Sequence, residues 1–561
     1  MDSTRRRDRA KGRLVCVILV ASLAGNAAAD SDSPARTTAA ASLAGAGVLS
    51  AGFLEAADAR IGEIRIDNGN VFDPTDPAEA SFFHRLVNAA HFRTRPAVIR
   101  RQLLIEPGDA FVARRIEESA RLLRDNEFLC DAEIVPVAYR QGYVDLEVRT
   151  EDTWSLSPSI SFSRKGGRNA GGIGIEDSNL FGSGSSLDLG YRSDVDRDSI
   201  AFAYADPQLG SSRFRLVLAA ADNSDGGTLA TALEQPFYSL DARRAGGVSL
   251  SAFEQTDSLY QLGEVVDEIG HRSRRAEAWY GWSEGLRDGR TTRWLAGIAL
   301  DEQRFSRVEE APLPLDTPPD RRLVYPFIGF EWLEDRYERT RNSDRIGRVE
   351  DRHIGGRVQA RLGYASTAIG SDASAWIAAI SATRGFHPTP AGTLMLDASF
   401  DGRLSDGAGD SYLAGAGLRY YLRHSPQRLS YAEFRASAGD GLDPDGPISL
   451  GGDTGLRGYP LRYQTGGASA LLTLEERFFT DWYPFHLFRV GGAVFFDAGR
   501  VWDPRDEAAD RGLLADVGVG LRIGSPLSSS GRLVHVDLAF PLDAPPGQNG
   551  PQLVIETHKH F

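Results

Sequence analysis

Residues 451–460 read GGDTGLRGYP, and within them Arg457 lies between Gly455 and Gly458. Glycine lets the backbone turn tightly, and a guanidinium held in such a turn presents a planar fork of donors that suits a carboxylate. Two later segments offer carboxylates. Val494 and Phe496 share one face of an alternating run, while Phe495 and Asp497 share the other; Leu472 and Leu474 likewise set Glu475 and Arg477 opposite them. If the apolar faces point outward, the polar ones line an interior that Arg457 can reach. Such an ion pair in a wet interior is worth about 1 to 3 kcal/mol, enough to bias a loop without locking it.

Other chemistries find little support. His558 and His560 share a face near the chain end, but two ligands on one strand fall short of a metal site. No GxSxG, HExxH, P-loop or helix-opening GxGxxG is present; Gly172-Ile173-Gly174 falls inside a strand pattern, where glycine marks a bend or close packing. The expectation is a protein that is not an enzyme, with no catalytic residue, cofactor or metal. A net charge of −14 argues against nucleic acid as a partner.

The elements that must position these side chains are strands. From residue 151 onward the helical period vanishes and a period of two takes over: Leu187, Leu189 and Tyr191; Leu394, Leu396, Ala398 and Phe400; Val517, Val519, Leu521 and Ile523; Val534, Val536, Leu538 and Phe540. A soluble sandwich can show the same alternation segment by segment. Scale favours a transmembrane barrel: 151–561 is a long series of such segments with no interposed helix, rich in the glycine that tight turns use, with aromatics such as Tyr191, Trp279 and Trp332 at segment ends. The last strand ends in Phe561, preceded at two-residue steps by Lys559, Thr557, Ile555 and Leu553. The alternation accommodates about 16 to 20 strands, an even number if both ends of the barrel chain lie on one side.

Ahead of the barrel lie three segments. Residues 1–29, with a basic start and an apolar run from Leu14 to Ala24 too short to span a bilayer, read as a secretory signal peptide. Cleavage after Ala29 takes the net charge from −14 to −18 and leaves Cys130 without a partner, a thiol expected in a core. Residues 30–59 form an Ala/Gly-rich linker, with Ala59 as the alternative cleavage point. Residues 60–150 predict a small α+β module in the order β, α, α, β, β: a strand at Ile61, Ile64 and Ile66, a helix 78–90 with Phe82, Phe83, Leu86 and Val87 along one side, a short element at 96–104, a helix capped by Asp109, and strands at 132–139 and 143–149 joined by Gln141-Gly142. Pro136 predicts an edge strand or a bulge.

The segment from Thr94 to Ile99 (TRPAVI) and LLIEPGD (Leu103 to Asp109) make that module resemble a POTRA domain. LRGY (Leu456, Arg457, Gly458, Tyr459) resembles the signature of the long inward-folded loop in the BamA/TamA/FhaC superfamily of outer-membrane assembly and secretion proteins. EDSNLFGSG (Glu176 to Gly184), LEERF (Leu474 to Phe478), FFDAGRVW (Phe495 to Trp502), VGVGLR (Val517 to Arg522) and VDLAFP (Val536 to Pro541) resemble other segments of that family in the expected order. The resemblance implies a mainly β chain, a sixteen-stranded antiparallel barrel in the bacterial outer membrane with one periplasmic POTRA-like domain. It implies Asp497 as the acid that receives Arg457, with Glu475 and Arg477 beside it, and Phe561 as a signal for barrel insertion. It also implies contact with outer-membrane lipid, unfolded outer-membrane or secreted protein clients, and periplasmic accessory proteins. The chain departs from the family in having room for a single POTRA-like module, and Ala39 to Leu54 matches poorly to a plug helix. A barrel lipase or protease and a passive porin remain the competing functions.

Overall fold

A computed structural model of the chain describes residues 50–79, 81–308, 317–405, 409–443, 446–503, 512–529, 531–543 and 550–558. The signal segment 1–29, the linker up to residue 49, His560 and Phe561 lie outside the described residues.

Twenty antiparallel strands, from Leu156–Lys165 to Gln552–His558, close into one barrel. The count corrects the expected sixteen. The first six strands, Leu156 to Gln235, are 8 to 10 residues long and rich in Gly, Ala and Ser, as in GGTLATALEQ, so small residues on both faces blur the alternation that marks a strand. Opposite them in character, Arg244–Gln261, Glu264–Arg287 and Arg290–Arg307 run 18, 24 and 18 residues. The outward face is apolar: Ile160, Ile173, Ile200, Leu229, Leu250 and Ile298 all stand exposed on it. On the strand Glu264–Arg287, exposed Tyr280 and Trp282 mark that face, and Trp279, one residue out of phase, points into the lumen.

The N-terminal module is a three-stranded sheet with Tyr143–Asp152 in the centre, Arg60–Gly69 parallel to it and Leu129–Arg140 antiparallel. Val144, Leu146 and Val148 are fully buried against Ile99, Ile116, Ala120 and Leu123 of the helices Pro96–Gln102 and Ala113–Arg124. Pro136 sits on an edge strand, next to a register shift. Two details differ from the sequence reading. The helix expected to be capped by Asp109 begins at Ala113, and its first N–H donates to Glu55 Oε1 (2.8 Å) from a preceding short helix, Ala51–Ala56; Asp109 instead receives the Glu106 N–H. Helix Phe82–Ala90 buries His84 and Val87 rather than its phenylalanines.

The module closes the end of the barrel at which the first strand begins. Thr94 donates its N–H and hydroxyl to Asp152 (both 2.7 Å), and Asn179, in the first hairpin turn on this side of the barrel, donates to the Thr94 hydroxyl (2.7 Å). All three residues are buried, and Arg95 N–H reaches the Gly182 carbonyl. The Thr94-Arg95-Pro96 segment and the EDSNLFGSG turn are thus two halves of one joint. Across the mouth, Arg114 pairs with Asp241, Arg121 with Asp335 and Arg124 with Asp351 through two donors. A hairpin of Tyr337–Arg341 and Val349–His353, inserted between two barrel strands, spans this opening; Arg348 near its tip reaches the carbonyls of both Leu129 and Ser528.

Cys130 is absent from the module's core. It is half-buried at the junction, its Sγ donating to the Pro526 carbonyl (3.2 Å), and burial there pushes its thiol up to about 11.

Candidate functional site: an arginine clasp in the lumen

The loop between the strands Arg428–Asp440 and Ala468–Phe479 folds back into the barrel. Leu456 fills an apolar pocket of Ile448, Leu450, Leu471, Val501 and Leu514, which anchors the turn. Gly455 has φ +117, where a side chain is strained, and a Cβ there would lie 2.2 Å from Leu471. Gly458 has a different role: a Cβ would stand 2.8 Å from that of Asp516, so its absence allows the loop to touch the wall and the Gly458 N–H to donate to Asp516 Oδ2 (3.0 Å). Tyr459, buried, donates its hydroxyl to the Ala515 carbonyl (2.9 Å).

This seating brings Arg457 onto the inner wall. Its Nε and Nη2 donate to the two oxygens of Asp497 at 2.7 and 3.0 Å, while Nη1 donates to Glu475 (2.9 Å) and Asp537 (3.1 Å). The guanidinium lies 3.5 Å above the Phe495 ring. Asp497 is fully buried, receives the Thr473 hydroxyl (2.8 Å), and stands directly opposite Asp516 in register. Like charges placed opposite on adjacent strands repel. The clasp relieves this by setting Arg457 on one acid and a backbone N–H on the other.

Arg477 belongs to the same knot. It donates to Glu475 (2.9 Å), stacks 3.7 Å from the Tyr431 ring, and donates to the Ser343 carbonyl (2.8 Å) at the tip of the mouth-spanning hairpin. A chain of charges therefore runs from the hairpin through Arg477 and Glu475 to the loop. Leu456, Arg457, Gly458, Tyr459, Glu475, Arg477 and Asp497 are all brought together here.

Five participants escaped the sequence reading. Arg522 pairs with Asp537, and both lie on polar faces of alternating strands, so alternation signalled their inward direction without their partners. Arg462, five residues beyond Arg457, pairs with Asp196 (3.0 Å) in a turn of the opposite wall and with Asp453 (3.2 Å). No pattern in the sequence announces a contact between a loop and a turn so far apart. The loop is consequently bolted at two points. The described residues contain no cluster of three or more His, Cys, Asp or Glu side chains arranged for a metal.

Residues 428–557, which contain the whole clasp, match the Omp85 superfamily domain. No curated protein matches the chain by sequence. Solved structures similar to it include BamA from Haemophilus ducreyi lacking POTRA domains 1–3, at 14% identity over 89% of this chain and 84% of that one with a TM-score of 0.41. CdiB from Acinetobacter baumannii is 15% identical over 89% and 73% (TM-score 0.43), and CdiB from Escherichia coli 12% over 89% and 76% (TM-score 0.46).

Proposed function

We propose that this protein is an outer-membrane factor that inserts or exports polypeptide clients, with the N-terminal module acting as a POTRA-like receiving domain in the periplasm. The clasp carries this reading: an internal loop tied to the wall by a shared arginine, inside the segment that matches the Omp85 superfamily domain. The apolar outer face supports residence in a membrane, and the module at one mouth supports delivery of clients from that side. A passive pore needs no module docked at its mouth and no hairpin spanning it. No catalytic step is assigned.

The route for a client follows from the weakest part of the wall. Among the described residues the last and first strands share a single registered pair, Ile555 with Arg164, reinforced by the ion pair of Lys165 with Glu556. The neighbouring hairpin of the first two strands pairs along ten residues. Opening this seam exposes edge N–H and C=O groups to which an extended client can add as a strand. Depletion of the protein followed by outer-membrane proteomics tests the function: a subset of outer-membrane or secreted proteins should fall, and Arg457→Ala should fail to restore them. An unchanged protein profile on depletion contradicts the proposal.

A further inference from the structure

Helix Phe82–Ala90 of the module has two apolar faces. His84 and Val87 point to the barrel rim, where Val87 packs with Val71 and Phe72 against Trp154, Leu487 and Leu527, and His84 Nε2 contacts the Phe485 carbonyl (3.0 Å). One turn around, Phe82 and Leu86, four residues apart and so on one stripe, stand 74% and 54% exposed. They do not stand alone. Phe92 meets Phe181 of the Glu176–Gly184 turn at a ring distance of 5.4 Å, and Trp482 and Phe485, in the turn between Ala468–Phe479 and Arg489–Trp502, are 65% and 79% exposed. A soluble surface rarely presents so many large apolar side chains together.

These two barrel turns flank the sector of the wall that contains the seam, and both lie at the module's end of the barrel. The patch therefore continues the barrel's apolar belt past its rim onto the module, beneath the closing strands. Arg85, Arg93 and Arg95 are exposed around it, the flanking charge that suits the phosphates of a bilayer surface. We propose that helix Phe82–Ala90 lies in the periplasmic leaflet of the membrane, with Phe82 and Leu86 among the acyl chains, and anchors the module to lipid directly under the seam. This rests on the membrane orientation proposed above. It adds a second attachment to the ion pairs across the mouth, placing the receiving module and the exit seam on one patch of lipid. A phospholipid leaflet is favoured over a protein client because the patch is continuous with a lipid-facing surface and ringed by arginine.

The test places an environment-sensitive fluorophore at Leu86→Cys in a Cys130→Ser background of the mature chain, reconstituted in phosphatidylethanolamine and phosphatidylglycerol vesicles. A blue-shifted emission that brominated acyl chains quench and aqueous iodide does not is the expected result. The same label at Glu133→Cys, on the exposed side of the module's sheet, should stay water-like. Flotation with the vesicles, read on the same samples, reports barrel insertion separately, so its failure strikes the membrane reading as a whole. Flotation with a water-like, iodide-quenched label at position 86 overturns the anchoring alone. An emission that shifts only when an unfolded outer-membrane protein is added also overturns it, since the patch would then be a client site.

Discussion

The wall that carries the clasp and the seam that closes the barrel are built from the same kind of strand, yet they are held very differently. Strand Ala468–Phe479 is registered along its whole length with Arg489–Trp502, and its lumenal side chains Thr473, Glu475 and Arg477 all engage the charge knot. At the seam one registered pair and one ion pair join the described parts of two strands. Backbone pairing and lumenal charge therefore reinforce each other on one side and are both sparse on the other. The lesson is that stiffness is local: the loop is fixed to a fully paired wall, while the seam is joined sparsely.

Locking the seam should produce the largest functional effect. Arg164→Cys with Ile555→Cys, in a Cys130→Ser background, joins the paired positions; oxidation should abolish client insertion or export in a reconstituted assay, and a reductant should restore it. Val519→Cys with Leu538→Cys, registered partners on a fully paired wall, provides the control, and oxidation there should leave activity intact. Equal effects at both places would erase the distinction between seam and wall.

Removing Arg457 is next. Arg457→Ala leaves Asp497, Glu475 and Asp537 without their shared cation in a largely dry site, a loss of about 3 to 5 kcal/mol. The midpoint of heat-modifiable migration on gels should fall sharply. Asp497→Ala should cost less, because Glu475 and Asp537 still hold the guanidinium. An isolated Arg457–Asp497 pair would predict equal losses instead.

The junction offers a gentler contrast. With its thiol pushed up to about 11 by burial, Cys130 should react with a maleimide roughly a hundredfold more slowly than a free thiol near neutral pH, and its rate should still be climbing about tenfold per unit near pH 9. Arg124→Ala, which removes two donors to Asp351, should loosen the joint and raise that rate. Mass spectrometry of the labelled protein reads both. Smallest of all is Tyr459→Phe, which forfeits the hydrogen bond donated to the Ala515 carbonyl and the long one (3.4 Å) accepted from the Asp543 N–H, and should lower stability by about 1 kcal/mol, seen as a small shift in the same gel midpoint.

What the sequence disclosed followed its periodicities. Alternation showed that Phe495 and Asp497 face one way and Phe496 the other, and an ordered set of motifs pointed to the loop that carries Arg457. It could not count the early strands, whose glycines and alanines suit either face. Nor could it show that Asp537 and Glu475 share one guanidinium, since lateral neighbours in a barrel depend on register across several strands. Helix Phe82–Ala90 misled for a related reason. Its apolar residues identify a buried stripe only when one side faces protein, whereas here His84 and Val87 take that side, Phe83 meets Trp154 at its margin, and Phe82 and Leu86 face away.

A double-mutant cycle on Arg457 and Asp497, read as the stability of the folded barrel, tests the clasp most directly. Each single replacement by alanine breaks the same bidentate contact, so the double mutant should be little worse than Arg457→Ala alone, with a coupling of about 2 kcal/mol or more. Strictly additive losses would mean that the two side chains act separately, and the loop would not be held to the wall by this arginine.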